Sequence, residues 1–154
     1  MSLVSELSDK RLKYKTIHRE GILDKFCGVQ GSQRIIDRKY FSQLWEGYTW
    51  AAIIGFIYDK RVPLGSGGKG DAFKFSVINN NGGELADALI LLALSKSKKG
   101  YKCLTEPDEI IKVIEEFANG GFEIIQSKIR EDESHFNNPD AFIEELLERK
   151  ESLT

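Results

Sequence analysis

The chain has 154 residues, of which 41% are hydrophobic and 30% charged, and its formal net charge is −2. This composition is typical of a globular domain and excludes a disordered chain, a collagen-like repeat and a bare coiled coil. At this length one hydrophobic core is enough for stability, so we expect a single domain over residues 1–154. No apolar run approaches the roughly 20 residues that a membrane span needs, and the polar start is unlike a signal peptide, so we expect a cytoplasmic protein.

Charge is distributed unevenly along the chain. Residues 1–75 contain 13 Lys/Arg and 8 Asp/Glu, whereas residues 76–154 contain 9 and 16. The basic excess includes eight cations that form a candidate nucleic-acid-binding set: Lys10, Arg11, Lys13, Lys15, Arg19, Arg34, Arg38 and Lys39. Cations interleaved with aromatic rings can follow a phosphate backbone. Because the sequence pI is near 5.8, an ordinary solvated surface is the favoured interpretation and weak DNA binding is the alternative.

Residues 1–34 form a basic, less regular segment with a loosely helical pattern, and residues 35–154 form a predicted helical core. Asp37 predicts the N-cap of a short helix that ends at Gly47. A second helix is expected from about Tyr48 to Asp59, with its core-facing side marked by apolar residues at helical spacing. That core-facing set is Trp50, Ile53, Ile54 and Ile57.

Small residues in the second helix predict close packing. Ala51 and Gly55 are four residues apart, so they share a face on which another backbone can approach closely. Further along, Phe73–Val77 alternates apolar and polar residues and predicts a short strand, for which Val62–Leu64 is a plausible partner. The glycine-rich stretch between them, Gly65–Gly70, is expected to be an exposed, flexible turn.

The second half of the chain predicts four further helical regions, one of which follows Gly121 and carries Phe122, Ile125 and Ile129. Leu85–Leu94 is apolar almost all round, which is typical of a central buried helix. The helix beginning near Thr105 is expected to end at Asn119, Gly120 and Gly121, which would reverse the chain into a tight corner. The last helix has Asn138 as its predicted N-cap and an apolar face expected to be buried. That face consists of Phe142, Ile143, Leu146 and Leu147.

The resulting fold class is mainly α: one compact helical domain of about five to six helices with a small two-stranded β element. Seven residues are predicted to share its core: Ile53, Ile57, Leu89, Leu92, Ile110, Ile114 and Phe117.

No catalytic or metal-binding constellation is assembled in the sequence. Gly65–Gly70 satisfies G-x-G-x-x-G, but a strand rather than a helix is expected after it, so the context of a dinucleotide site is missing. Asp140 and Glu148 formally match a metal-binding nuclease motif. Because about two turns of one predicted helix separate them, they cannot share a metal. The two histidines and two cysteines stand at no metal-ligand spacing. We therefore expect no cofactor and no metal, and an enzymatic activity is disfavoured without being excluded.

The order of motifs along the chain resembles that of a known protein family. It runs from Trp50–Phe56 through Lys60–Leu64, an aromatic strand and an apolar helix to the string Ile114–Phe122, whose sharpest part is E-E-F-A-N-G-G. Over roughly Ile35 to Arg130 the chain is similar to the small proteins encoded beside bacterial DNA-phosphorothioation (Dnd) systems. The resemblance implies a setting of DNA modification or phage defence and work beside larger proteins, and it carries over no catalytic residue.

These observations predict a non-enzymatic accessory protein that binds another protein of a DNA-modification complex, or a second copy of itself. The alternative is a DNA-binding module that uses the basic N-terminal segment. Trp45, Trp50 and Tyr58 are interpreted first as core residues, although an aromatic surplus near one edge could anchor a partner.

Overall fold

The structure is a computed structural model that describes residues 3–18, 22, 44–65, 69–132, 143, 144 and 147. Over these residues the chain is mostly helical with one two-stranded antiparallel sheet, which confirms the predicted fold class. No described helix is long and apolar enough to cross a membrane. In chain order the elements are α1 (Leu3–Ser8), β1 (Arg11–Lys15), α2 (Thr16–His18), α3 (Leu44–Ile57), β2 (Lys69–Lys74), α4 (Phe75–Asn81), α5 (Gly83–Lys96), a 3₁₀ helix (Gly100–Thr105) and α6 (Pro107–Glu131).

The centre of the fold is a close crossing of α3 and α6. A Cβ added at Gly55 of α3 would overlap the carbonyl oxygen of Phe117 in α6. In the opposite direction, a Cβ at Gly121 would overlap the carbonyl oxygen of Ala51. The two backbones therefore touch where both helices carry small residues, and the predicted close approach at Ala51 and Gly55 is confirmed.

Helix α6 is continuous through the glycines that were expected to end it. It runs from Pro107 to Glu131, and Gly120 and Gly121 are buried in its middle. The predicted corner is therefore wrong. A glycine inside a helix costs about 1 kcal/mol relative to alanine, but at these positions a side chain would collide with α3 and the following loop. The two glycines allow the backbones to come into close contact, and the apolar residues on both sides of them keep the helix intact.

Helix α3 passes through Gly47, so the helix end predicted there is wrong. The described helix begins at Leu44, and the predicted N-cap Asp37 lies outside the described residues. The predicted core-facing set is out of phase except for Ile54, because the other three members are only half-buried. The fully buried positions are instead Tyr48, Ala51, Ala52 and Ile54, since the small residues turn toward α6.

The two-stranded sheet pairs β1 with β2, and not β2 with Val62–Leu64. Val62 of that loop segment is instead hydrogen-bonded to α6, because its N–H donates to the Glu116 carbonyl over 3.1 Å. The strand also ends earlier than predicted, at Lys74, and Phe75–Asn81 is helical. Phe75 and Ile78 are both fully buried, a spacing of three that favours a helical turn over a strand.

Helix α5 lies at the periphery, so its predicted central position is wrong. Its buried residues are Ala86, Leu89 and Ala93, all on one side, whereas Leu85 and Leu91 are 38% and 65% exposed. Of the seven predicted core residues, four are buried and three are half-buried. The buried ones are Leu89, Ile110, Ile114 and Phe117, and the half-buried ones are Ile53, Ile57 and Leu92.

The last predicted helix is only partly described. Ile143 and Leu147 are helical, but they are 49% and 53% exposed, so their predicted burial is wrong. A 3.6-residue periodicity identifies an apolar face without showing that a partner for that face exists within the same chain. The predicted N-cap Asn138, Phe142 and Leu146 lie outside the residues whose side chains are described.

Candidate functional site

Four of the eight predicted nucleic-acid-binding cations lie on or beside strand β1. Leu12 and Tyr14 point into the core, whereas Arg11 and Lys13 are exposed and Lys15 is half-buried. Since side chains alternate along a strand, Arg11, Lys13 and Lys15 share the outward face. We call these three residues the ribbon cations. Arg19, Arg34, Arg38 and Lys39 lie outside the described residues.

The register of the ribbon places cations opposite each other. Arg11 stands opposite Lys74, and Lys15 stands opposite Lys69, while Lys13 pairs with Asp71. The ladder carries a bulge between Leu12 and Lys13, where one residue of β2 has no partner. Basic residues therefore outnumber acidic ones along the ladder, with Asp71 as the one acidic residue in its register.

Two of the neighbouring cations, Lys10 and Lys74, form ion pairs. Lys10 contacts Asp108 over 2.7 Å, and Lys74 lies 3.8 Å from the exposed Asp9. Within the described part of the chain, no carboxylate forms an ion pair with a ribbon cation. The assignment of Lys10 to the nucleic-acid-binding set stays a prediction.

Strand β1 is held in place by contacts to its backbone rather than to its lysines. The Lys13 N–H donates to Glu115 Oε2 over 3.1 Å, and the Lys13 carbonyl accepts from the Tyr48 hydroxyl over 2.8 Å. Tyr48 is completely buried, with edge-to-face contacts to Phe73 and Phe122. Burial, and secondarily the charge of Glu115, raises the pKa of Tyr48 well above its usual value, so the hydroxyl stays a donor.

A cavity of about 280 Å³ opens beside the ribbon. Its walls are Lys13 from β1, residues 63–65 of the loop after α3, and Lys112, Glu115 and Glu116 from α6. Glu116 is already bound to Arg61, whose Nε lies 2.7 Å from its carboxylate. Lys112 is exposed, and within the described residues it has no ion-pair partner. The cavity therefore presents two available ammonium groups next to two engaged carboxylates.

A buried polar network, which the sequence analysis did not foresee, joins α2, α6 and the loop after α3. Asn119 of α6 is buried, and its Nδ2 donates to the carbonyls of Val62 and Pro63. Its Oδ1 therefore accepts from His18, whose Nε2 lies 2.9 Å away. His18 and Asn119 are 101 residues apart in sequence, so no local pattern could have paired them.

The environment of His18 keeps its imidazole neutral. The ring is buried and stacks on Phe122 with centroids 4.9 Å apart. Its Nδ1 is buried and has no hydrogen-bond partner among the described residues. Burial lowers the pKa of His18 below its ordinary value of 6.5, and the hydrogen bond that His18 donates to Asn119 opposes this only in part. The network is structural, since the neutral ring donates to Asn119 and packs on Phe122.

The predicted partner-binding aromatics are half-buried and pack against the core. Trp45, Trp50 and Tyr58 all lie on or just after α3. Trp45 reaches the junction of α4 and α5, where a Cβ at Gly82 would come within 3.2 Å of its ring. These positions support the core interpretation of the three rings, while a role in partner binding stays a prediction.

The largest apolar surface on α5 was missed by the sequence analysis. Leu85, Ala88 and Leu91 are exposed and follow each other at intervals of three residues, so they form a stripe along one side of the helix. We call this set the α5 stripe. On the neighbouring 3₁₀ helix, which packs against α5, Tyr101 is 81% and Leu104 40% exposed. The apolar composition of Leu85–Leu94 was the available signal, but it was interpreted as burial.

The described residues contain no cluster of His, Cys, Asp or Glu that could hold a metal ion. Cys103 is buried in the 3₁₀ helix and packs as a small apolar side chain. Gly65 adopts a left-handed φ of 71°, and Lys69 and Gly70 already belong to β2, so the glycine-rich stretch does lead into a strand. Residues 66–68 of that stretch lie outside the described part of the chain.

Comparison with known proteins assigns most of the chain to a protein family. Residues 34–152 match the protein family described as DNA sulphur modification system-associated protein 4. No curated protein and no solved structure matches the chain. The matched region contains α3, β2 and α4 to α6, and therefore the α5 stripe, whereas β1 and its ribbon cations precede it.

Proposed function

Because the chain belongs to the DNA sulphur modification system-associated protein 4 family, we propose that it is a non-enzymatic accessory component that binds another protein of such a system. The family description supports the link to DNA sulphur modification. The binding role is supported by the α5 stripe, which is the observation that carries this proposal.

An apolar helix side left in solvent is unusual for a protein that works alone. Large exposed apolar patches commonly mark sites of protein association. The 3₁₀ helix that packs against α5 carries the exposed Tyr101, and tyrosine is enriched among residues that dominate binding energy. The stripe lies within the family-matched region, so it is available for a role shared across the family.

The charges around the stripe indicate the chemistry of the partner. Lys96 and Lys99 are engaged with Asp59 and Glu106, respectively. Lys98 and Lys102 are exposed and, within the described residues, form no ion pair. Glu84 and Asp87 of α5 are exposed as well. A complementary partner therefore presents an apolar patch with a rim of mixed charge, since charge complementarity orients association and excludes wrong partners.

The decisive experiment measures binding to purified proteins encoded with this chain in the same DNA sulphur modification system. The test variant is Leu91→Glu, and the matched control is Ile17→Glu on α2, because the two side chains are 65% and 66% exposed. We expect calorimetry to give at least about a tenfold loss of affinity for Leu91→Glu, consistent with a central contact. The control should bind like the unmodified chain.

Equal binding by both variants would contradict the proposal, as would failure of the unmodified chain to bind any protein of the system. Light scattering of the chain alone separates self-association from binding to a different protein. A dimer that Leu91→Glu dissociates would assign the stripe to a second copy of this chain.

A further inference from the structure

The ribbon cations acquire their common orientation only because residues 11–15 form a strand. In a helix, where each residue advances the side chain by about 100°, Lys13 would point away from the side shared by Arg11 and Lys15. In the observed strand all three lie on one face, about 6.6 Å apart from one to the next along β1. This regular spacing of positive charge is comparable with the spacing of successive phosphates on a nucleic acid strand.

We propose that the outward face of the β1–β2 ribbon binds the phosphodiester backbone of double-stranded DNA. The surface consists of the ribbon cations together with Lys112, which borders the adjoining cavity. It is distinct from the α5 stripe, so the proposal goes beyond the function proposed above.

The first argument is that no ribbon cation forms an ion pair with a described residue. Two carboxylates of the cavity beside Lys13 have other partners, because Glu115 accepts from the Lys13 backbone N–H and Glu116 is bound to Arg61. The register sets one acidic residue, Asp71, opposite Lys13, so the ribbon cations outnumber the acidic residue that faces them. Phosphate groups can supply the remaining counter-charge.

The second argument is that the face is rigidly presented. The backbone of Lys13 is fixed on both sides by Glu115 and by the buried Tyr48, so its side chain extends from an anchored strand. The buried side chains of Leu12 and Tyr14 hold the opposite face against the core. A two-stranded ribbon is also one of the elements that fit against duplex DNA.

The third argument concerns the kind of contact that these residues can make. Arginine and lysine side chains account for much of the binding to phosphate oxygens, which positions a protein on DNA without reading its sequence. The outward face described here combines cations with no exposed aromatic ring on β1, where Tyr14 is buried. The expected binding is therefore to the backbone of a duplex, with no need for unstacked bases.

The test is a fluorescence-anisotropy titration of a short labelled DNA duplex over a range of salt concentrations. The ribbon variant carries Arg11→Gln, Lys13→Gln and Lys15→Gln. The charge-matched control carries Lys98→Gln, Lys102→Gln and Arg130→Gln, which are exposed residues outside the ribbon and lose the same three charges. Thermal melting confirms that both variants are folded before they are compared.

We expect the ribbon variant to bind about tenfold more weakly or worse, and to lose about 0.9 from the slope of log K against log salt for each broken phosphate contact. The control should retain both the affinity and the slope. Lys112→Gln, which leaves β1 untouched, should lower the slope by about 0.9; this second variant keeps the proposal testable if substitution in the strand disturbs folding.

Equal loss in the ribbon variant and the control would overturn the proposal, since net charge alone would then account for binding. A salt-independent or undetectable interaction of the unmodified chain with the duplex would overturn it as well. Tighter binding of an RNA of the same length would assign the face to a different ligand. Leu91→Glu should leave DNA affinity unchanged, so failure of the ribbon proposal and failure of the α5 proposal are separate results.

Discussion

Gly121 of α6 packs directly on the carbonyl group of Ala51 in α3. A Cβ added at Gly121 would overlap this carbonyl oxygen, and a Cβ at Gly120 would overlap the carbonyl oxygen of Lys60. The crossing therefore depends on the absence of side chains at two consecutive helical positions. Because backbone atoms form the opposing surface, the collision cannot be relieved by rotating a side chain.

Gly121→Ala should destabilise the protein, although alanine is intrinsically the better helix former by about 1 kcal/mol. We expect a net loss of about 1–3 kcal/mol or more in the free energy of unfolding, because the helices must move apart. Chemical denaturation measures this loss. Gly83→Ala is the control, since a Cβ there meets nothing within 4 Å; it should be neutral or stabilising. A stable Gly121→Ala variant would contradict the close crossing.

Leu89 and Leu91 on α5 should respond very differently to truncation. Leu89 is 1% exposed, and Leu89→Ala should cost about 2–5 kcal/mol through lost burial and the cavity left behind. Leu91 is 65% exposed, and Leu91→Ala should change stability by no more than about 0.5 kcal/mol. Urea denaturation of the two variants provides the comparison. Similar losses at both positions would mean that α5 is covered on both sides.

Asn119→Leu should destabilise the protein even though it keeps the branched shape of the side chain. The substitution leaves the His18 N–H and the carbonyls of Val62 and Pro63 without their partner. Each buried polar group left unsatisfied costs about 1–3 kcal/mol. The control is Asn81→Leu, because Asn81 donates to the Val77 carbonyl at an exposed site where water can replace it. Thermal and chemical denaturation should separate the two variants clearly.

The stability of the protein should fall as the pH decreases below the ordinary histidine pKa of 6.5. Burial lowers the pKa of His18 in the folded chain, so in this window the unfolded chain takes up a proton that the folded chain does not. The free energy of unfolding therefore decreases toward acid, and the stabilisation is present above pH 6.5. His18→Gln should show a shallower decline in denaturation experiments at several pH values. An NMR titration that places the pKa of His18 at or above 6.5 would contradict this prediction.

The helical class of the fold could be predicted because its signal is local. Ile110, Val113, Ile114 and Phe117 repeat at helical spacing, and all four are buried in α6. Such a pattern needs no knowledge of the partner surface. The position of α5 could not be predicted in the same way. A segment that is apolar on every side does not reveal which side meets the core, and here the exposed side includes Leu85 and Leu91.

The candidate sites also combine features that the sequence predicted with features that only the tertiary structure revealed. The sequence identified the cations at positions 11, 13 and 15, but the common face of these residues required a strand whose partner, β2, begins more than 50 residues later. The ion pair of Lys10 with Asp108 on α6 likewise had no local signal, since the two residues are far apart in sequence. The His18–Asn119 pair had no local signal at all.

Composition and periodicity by themselves determined that this chain builds a mostly helical domain with a small ribbon, since amphipathic repeats and turn residues act through near neighbours. Only the tertiary structure decided what Gly120 and Gly121 do. The same two glycines can end a helix or admit another backbone, and the choice depends on α3, which lies more than 60 residues earlier. Likewise, five residues of β1 become a strand because β2, Tyr48 and Glu115 satisfy their backbone groups. Where local propensity does not determine the conformation of a segment, contacts with residues distant in sequence determine it.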